Sequence, residues 1–166
     1  GGNIKQITSS IETLKKKVKD IIILHCNSEY PTQYQRLGLE NIVTLKKKFK
    51  RCTIGSSDHF NGILSGPIAY MLGARVFEKH VTLNRSWKGT DHSASLEPFE
   101  LSNLVFKLNE AYGALSYKSD EILPIEQEQR IKLKNRKWTN NKNQYLSANC
   151  FWANFTGSAT LLGIKI

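Results

Sequence analysis

Four histidines stand at comparable points along this chain, each close to a short apolar run. His25 follows Ile21-Ile22-Ile23-Leu24, His59 lies past Cys52-Thr53-Ile54, His80 sits at the end of the run from Arg75 to Val81, and His92 is in the loop beyond it. Imidazole is the commonest metal ligand among side chains. If the apolar runs are parallel strands, their carboxyl ends form one ligand-binding rim, and the histidines should gather there. A histidine taken singly is more often a satisfied loop or core residue than a ligand; several at one rim shift that balance. Around His59 the run Gly55-Ser56-Ser57-Asp58-His59 offers hydroxyls and free N–H groups for an anion, with an imidazole beside a carboxylate. That combination suits a metal and its supporting shell; the same Ser and Asp also suit a helix cap. Around His80, alternation along a strand puts Val76, Glu78 and His80 on one face and Phe77 and Lys79 on the other. An ionisable pair inside a strand is costly unless it is used, which marks Glu78 and His80 as candidates.

The elements that must position these residues follow from periodicity. Apolar residues at Ile4, Ile7, Ile11, Leu14 and Val18 make one helical stripe. Ile21 to Leu24 is a β-branched run without alternation, the pattern of a strand buried on both faces. A second helix is predicted over Leu39, Ile42, Leu45 and Phe49, a second strand near Cys52 to Ile54 ended by Gly55, a third helix over Ile63 to Leu72 stopped by Gly73, and a third strand over Arg75 to Val81. Pro98 suits the first position of a last helix with its stripe at Leu101, Leu104, Val105, Leu108 and Leu115. Strands alternating with helices at this spacing predict an α/β fold with a parallel sheet and right-handed crossovers.

The chain has 166 residues, enough for a substantial core, whereas a complete (β/α)₈ barrel needs about 250. Composition argues against disorder, and no stretch approaches the roughly 18 to 20 apolar residues of a membrane span. Lys and Arg total 24 against 14 acids, a formal charge of +10. An anionic partner is one reading of that excess. Lys15-Lys16-Lys17 and Lys46-Lys47-Lys48, however, each close an amphipathic stretch, where cations complement a helix dipole, and no aromatic residues interleave as a nucleic-acid stacking platform requires. Cys26, Cys52 and Cys150 are widely spaced and odd in number, which fits a reduced, cytoplasmic setting. From Trp138 to Ile166 there is no acidic residue and no arginine, and periodicity fades. The organisation expected is a folded domain over 1–116, a linker-like segment over 117–137, and an irregular tail over 138–166.

Several motifs in register resemble the sialic acid synthase family: Leu24-His25-Cys26, Glu29-Tyr30-Pro31-Thr32, Ser57-Asp58-His59, Glu78-Lys79-His80 with Thr82-Leu83, Gly89-Thr90-Asp91-His92, and Ser95-Leu96-Glu97-Pro98. Their order is similar to the last three βα units of that family's TIM barrel, over about Gly1 to Arg136. The resemblance implies condensation of phosphoenolpyruvate with N-acetylmannosamine or a related N-acylated amino sugar, with release of phosphate. It implies a divalent metal, typically manganese with magnesium or cobalt as alternatives, held by His59 and His80. Ser28 and Ser57 would hold phosphoenolpyruvate, Tyr30 and Asp91 would contact the sugar, and Asn27, Glu78 and Lys79 would support them. The full-length family is expected to be a homodimer, with no membrane and no nucleic acid involved.

Ser56 stands where the family usually has a bulky residue, Gln33 and Thr90 where it has proline, and Asn84 where it has aspartate. None of these is an expected metal ligand. The family's other five barrel strands, with their glutamates and lysines, and its C-terminal domain have no counterpart in this sequence. The expectation is therefore a fragment of a synthase that is inactive by itself, its tail consistent in composition with a shifted reading frame. The alternative is a non-catalytic basic binding or assembly module.

Overall fold

The computed structural model describes residues 2–116 and 120–134, and the backbone of 152–155 and 159–162. Two units divide the chain, Gly1–Tyr117 and Lys118–Ile166. The first holds β1 (Ile22–Cys26), β2 (Thr53–Asp58) and β3 (Val76–Lys79) with α1 (Ile4–Leu14), α2 (Asn41–Lys48), α3 (Ser65–Leu72) and α4 (Pro98–Ala114). The second holds α5 (Pro124–Lys134), which falls inside the segment expected to be linker-like, and the strands β4 (Trp152–Phe155) and β5 (Ala159–Leu162), paired antiparallel. Cys150 and most of the tail lie outside the described residues. Among the described residues no helix is long and apolar enough to cross a membrane.

In the first unit the strands lie in the order β1-β2-β3, all parallel. The α/β reading holds, because each strand run is followed by a helix long enough to carry the chain back to the same sheet edge. Residues at helical spacing, Ile42 and Leu45 of α2 and Ala69 of α3, meet Ile23, Ile54 and Ala74 in one core, against which Ile4, Ile7 and Ile11 of α1 pack. Burying a side chain such as Ile42, which is fully covered, contributes about 1.5–3 kcal/mol. Leu104 of α4 packs on α3 where Gly66 leaves room; a Cβ there would lie 2.5 Å from Leu104 Cδ1.

Helix ends follow local chemistry. Asn3 caps α1 reciprocally with Gln6, and Pro98 stands at the start of α4 with Glu97 and Glu100 forming the same kind of box. Gly73 ends α3 at φ 113°, a left-handed conformation open to glycine. Lys46, Lys47 and Lys48 occupy the last turn of α2, where the helix dipole favours cations, whereas the run Lys15-Lys16-Lys17 starts only at the C-cap of α1, whose last turn holds no basic residue.

Three boundaries differ from the periodic reading. α1 stops at Leu14, before Val18. β1 includes His25 and Cys26, and Ile22 is 53% exposed rather than buried, because it points to the face opposite the one on which Ile23 enters the helix-packed core. β2 continues through Gly55 to Asp58, since ladders to both neighbours satisfy its backbone. Gly55 is kept small by close approach instead: a Cβ would stand 2.4 Å from the Val76 carbonyl oxygen.

Candidate functional site

β2 and β3 both end one residue before a histidine, with Asp58 paired to Lys79 in the register. His59 and His80 therefore leave the sheet side by side, their ring centroids 5.2 Å apart. His59 is buried. Tyr30, joined to Pro31 by a cis peptide bond, lays its ring 3.9 Å from that of His59 and 5.8 Å from that of His80. The His59 Nδ1–H donates to the Asn27 carbonyl at 2.7 Å. A carbonyl can only accept, so Nδ1 bears a proton, and Nε2 is the ring nitrogen left for a ligand.

Two imidazoles bound to one ion at about 2.1 Å from nitrogen bring their ring centroids to roughly 5 Å apart. The observed separation fits, and with Nδ1–H given to the Asn27 carbonyl, Nε2 is the nitrogen of His59 that would meet an ion. Among the described residues no three or more His, Cys, Asp and Glu side chains are arranged to hold a metal. An ion here would take two protein ligands and leave its other positions to substrate and water.

The remaining candidates divide. Ser57, buried, donates from Oγ to Glu78 Oε1 at 2.7 Å. Glu78 itself is exposed, so the burial cost expected of it does not arise. Ser28 is exposed, its Oγ 3.9 Å from Cys26 Sγ. Asp91 is exposed at the start of the 3-10 turn His92–Ala94, where its carbonyl accepts from Ser95 Oγ at 2.7 Å. Asn27 supports the loop from both ends of its amide, accepting from Glu29 N and donating to the Arg36 carbonyl. His25 and His92 do not join the His59–His80 ring cluster. His25 Nε2 donates to the Leu37 carbonyl at 2.7 Å, and His92 Nδ1 lies 2.7 Å from Thr82 Oγ1 with its ring edge-on to Trp87.

The sequence reading missed the ion pair beneath the histidines. Lys79 Nζ donates to Asp58 Oδ2 at 2.9 Å, and the two side chains are only 6% and 11% exposed. Asp58 Oδ2 also accepts from Ser65 Oγ and Oδ1 from Phe60 N, while Lys79 Nζ donates to the Phe60 carbonyl. Burial pushes the Lys79 ammonium below its ordinary range; the hydrogen bond and charge of Asp58 oppose this, Arg85 adds to the lowering, and Glu100 opposes it. Alternation had placed Lys79 opposite Glu78, but only the register of β2 against β3 supplies its partner.

The NeuB family model matches residues 2–120 of the chain. N-acetylneuraminate-9-phosphate synthase of Homo sapiens is 39% identical over 123 residues, covering 74% of this chain and 33% of that protein. N,N'-diacetyllegionaminic acid synthase of Legionella pneumophila is 37% identical over 132 residues, covering 74% of this chain and 37% of that protein. The chain thus spans about a third of the length of these curated relatives. The crystal structure of N-acetylneuraminic acid (sialic acid) synthetase from Leptospira borgpetersenii, in complex with citrate, aligns with a TM-score of 0.68 at 35% identity, over 82% of this chain and 48% of that one.

Proposed function

Because the chain belongs to the NeuB family, we propose that it carries the metal-binding end of a synthase that condenses phosphoenolpyruvate with an N-acylated amino sugar to give a sialic-acid-type nonulosonic acid. The observation that carries this reading is the pair of imidazoles 5.2 Å apart at the ends of adjacent strands, with the Nδ1–H of His59 spent on a carbonyl. His59 and His80 would hold a divalent ion, for which we assign manganese, and when bound it would supply Lewis-acid polarisation of the open-chain sugar aldehyde. The enol carbon of phosphoenolpyruvate forms the new C–C bond to that aldehyde carbon. Water adds at the former enol centre, and inorganic phosphate leaves with cleavage of its C–O bond.

The chain's own groups bind and orient. Ser57, its hydroxyl directed by Glu78, and Ser28 hold phosphoenolpyruvate. Tyr30 presents its phenol to the sugar while its ring packs on His59, and Asp91 accepts from sugar hydroxyls. Parallel neighbours in chain order, each strand followed by a helix, support assignment as about the last three units of a (β/α)₈ barrel within residues 1–116, followed by a connecting segment over 117–137 and a separate tail over 138–166. The three-stranded sheet has two outer edges, and a barrel needs its edges joined, so this chain alone performs no turnover. Free Cys26 and Cys52 thiols suit a cytoplasmic setting, and the full-length form is a homodimer.

Manganese calorimetry on the purified chain, with and without phosphoenolpyruvate, tests the site. Saturable binding in wild type and none in His59→Ala or His80→Ala is expected. Undiminished binding in either variant, or none in a folded wild type, would sink the metal reading.

A further inference from the structure

We propose that the Asp58–Lys79 ion pair is a positioning device that fixes the two imidazoles relative to each other, by joining the strand ends that lead into them and by holding the backbone of Phe60, the residue after His59. The inference deepens the metal reading and rests on it for its consequence, metal affinity, but not for its geometry.

The β2–β3 ladder ends at the Asp58–Lys79 register pair, so the ladder itself does not include His59 or His80. The ion pair takes over at that point. Asp58 Oδ1 accepts from Phe60 N at 2.8 Å, and Lys79 Nζ donates to the Phe60 carbonyl, so both polar backbone groups of the residue after His59 are held by the pair. The salt bridge at 2.9 Å closes the bracket from β2 to β3 directly behind His80. Ser65 Oγ ties Asp58 to the start of α3, and the Thr32 N–H holds the His59 carbonyl at 3.0 Å from the other side. His59 is thus constrained on its ring, its carbonyl and the following peptide.

Stability alone does not call for this arrangement, since well-packed apolar residues often replace a buried ion pair at no loss. What apolar residues cannot supply is direction. A carboxylate and an ammonium that share one hydrogen bond and grip the two successive peptides on either side of Phe60 define where that residue sits.

The test uses the full 166-residue chain, free of metal, with labelled histidine. Two NMR signals report the geometry: the nuclear Overhauser contact between the His59 and His80 ring protons, and the slowly exchanging His59 Nδ1–H. Lys79→Met should lose the ring contact and the Nδ1–H signal while the methyl resonances of Ile23, Ile42 and Ile54 keep their dispersion. Asp58→Asn with Lys79→Met, which leaves no unpaired charge, should do the same if the single variant fails to fold. Absence of the contact in wild type, its persistence in either folded variant, or loss of core dispersion in both variants would overturn the proposal.

Manganese titration by water-proton relaxation then separates the two readings. A folded variant should bind about tenfold or more weakly than wild type. Equal affinity would overturn the positioning role. No uptake by wild type, with the NMR contacts behaving as expected, would refute the metal site and leave the positioning role standing.

Discussion

Two acid–donor pairs cross from β2 to β3 one residue apart, and they meet opposite environments. Ser57 and Glu78 face the side where Glu78 is exposed, and their 2.7 Å hydrogen bond orients a hydroxyl. Asp58 and Lys79 face the side where both are almost dry, and their bond anchors a loop. The strand pleat alone produces the split, since neighbouring residues point to opposite faces. A charged group that retains water can change partners and serve chemistry. One that has lost its water must keep its partner, because an uncompensated charge in the interior is costly.

The largest effect should therefore come from the dry side. Asp58→Asn leaves the Lys79 ammonium buried without its counter-charge and should cost about 3–5 kcal/mol in urea unfolding. A loss below about 1 kcal/mol would mean that water reaches the pair and would erase the contrast between the faces.

On the open side Ser57→Ala and Glu78→Gln should each cost no more than about 1 kcal/mol, the usual net worth of one hydrogen bond. Under the proposed function the same substitutions should weaken phosphoenolpyruvate binding, read by calorimetry at saturating manganese. A large stability loss with unchanged binding would reverse the roles assigned to the two faces.

How far this contrast is legible in sequence depends on which interaction sets it. The helical stripes and the three strand runs come from local periodicity, and helices and three parallel strands stand close to those positions, with Pro98 and Gly73 as end signals. His59 and His80 are visible because they recur at equivalent strand ends. The Asp58–Lys79 pair is not visible, because a bond between residues 21 apart depends on register, and period-2 alternation leaves register open. The same limit explains Ile22: a β-branched run reveals a strand but not which of its faces is covered. Nor does any side-chain type announce the Asn27 carbonyl, a backbone atom that accepts the Nδ1–H of His59.

A third pair lies between the two extremes and gives the smallest, most specific test. Arg85 and Glu100 are 29% and 30% exposed. Burial pushes the Glu100 carboxyl up, but the Arg85 hydrogen bond, the Glu97 contribution and the charges of Arg85 and Lys79 together hold it below its ordinary value. A carboxylate whose folded pKa is depressed binds fewer protons in the native state than in the unfolded one. Its contribution is fully present above the unfolded value of about 4.3 and is lost as pH falls through the folded value. Wild type should therefore lose stability below about pH 4 more steeply than Glu100→Gln, and added salt should flatten the difference, because a pair this exposed is screened. Asp58 and Lys79, nearly dry, should show almost no such salt dependence. Equal salt sensitivity in both pairs would mean that exposure does not grade these interactions, and the distinction between an anchoring pair and an adaptable one would have to rest on geometry alone.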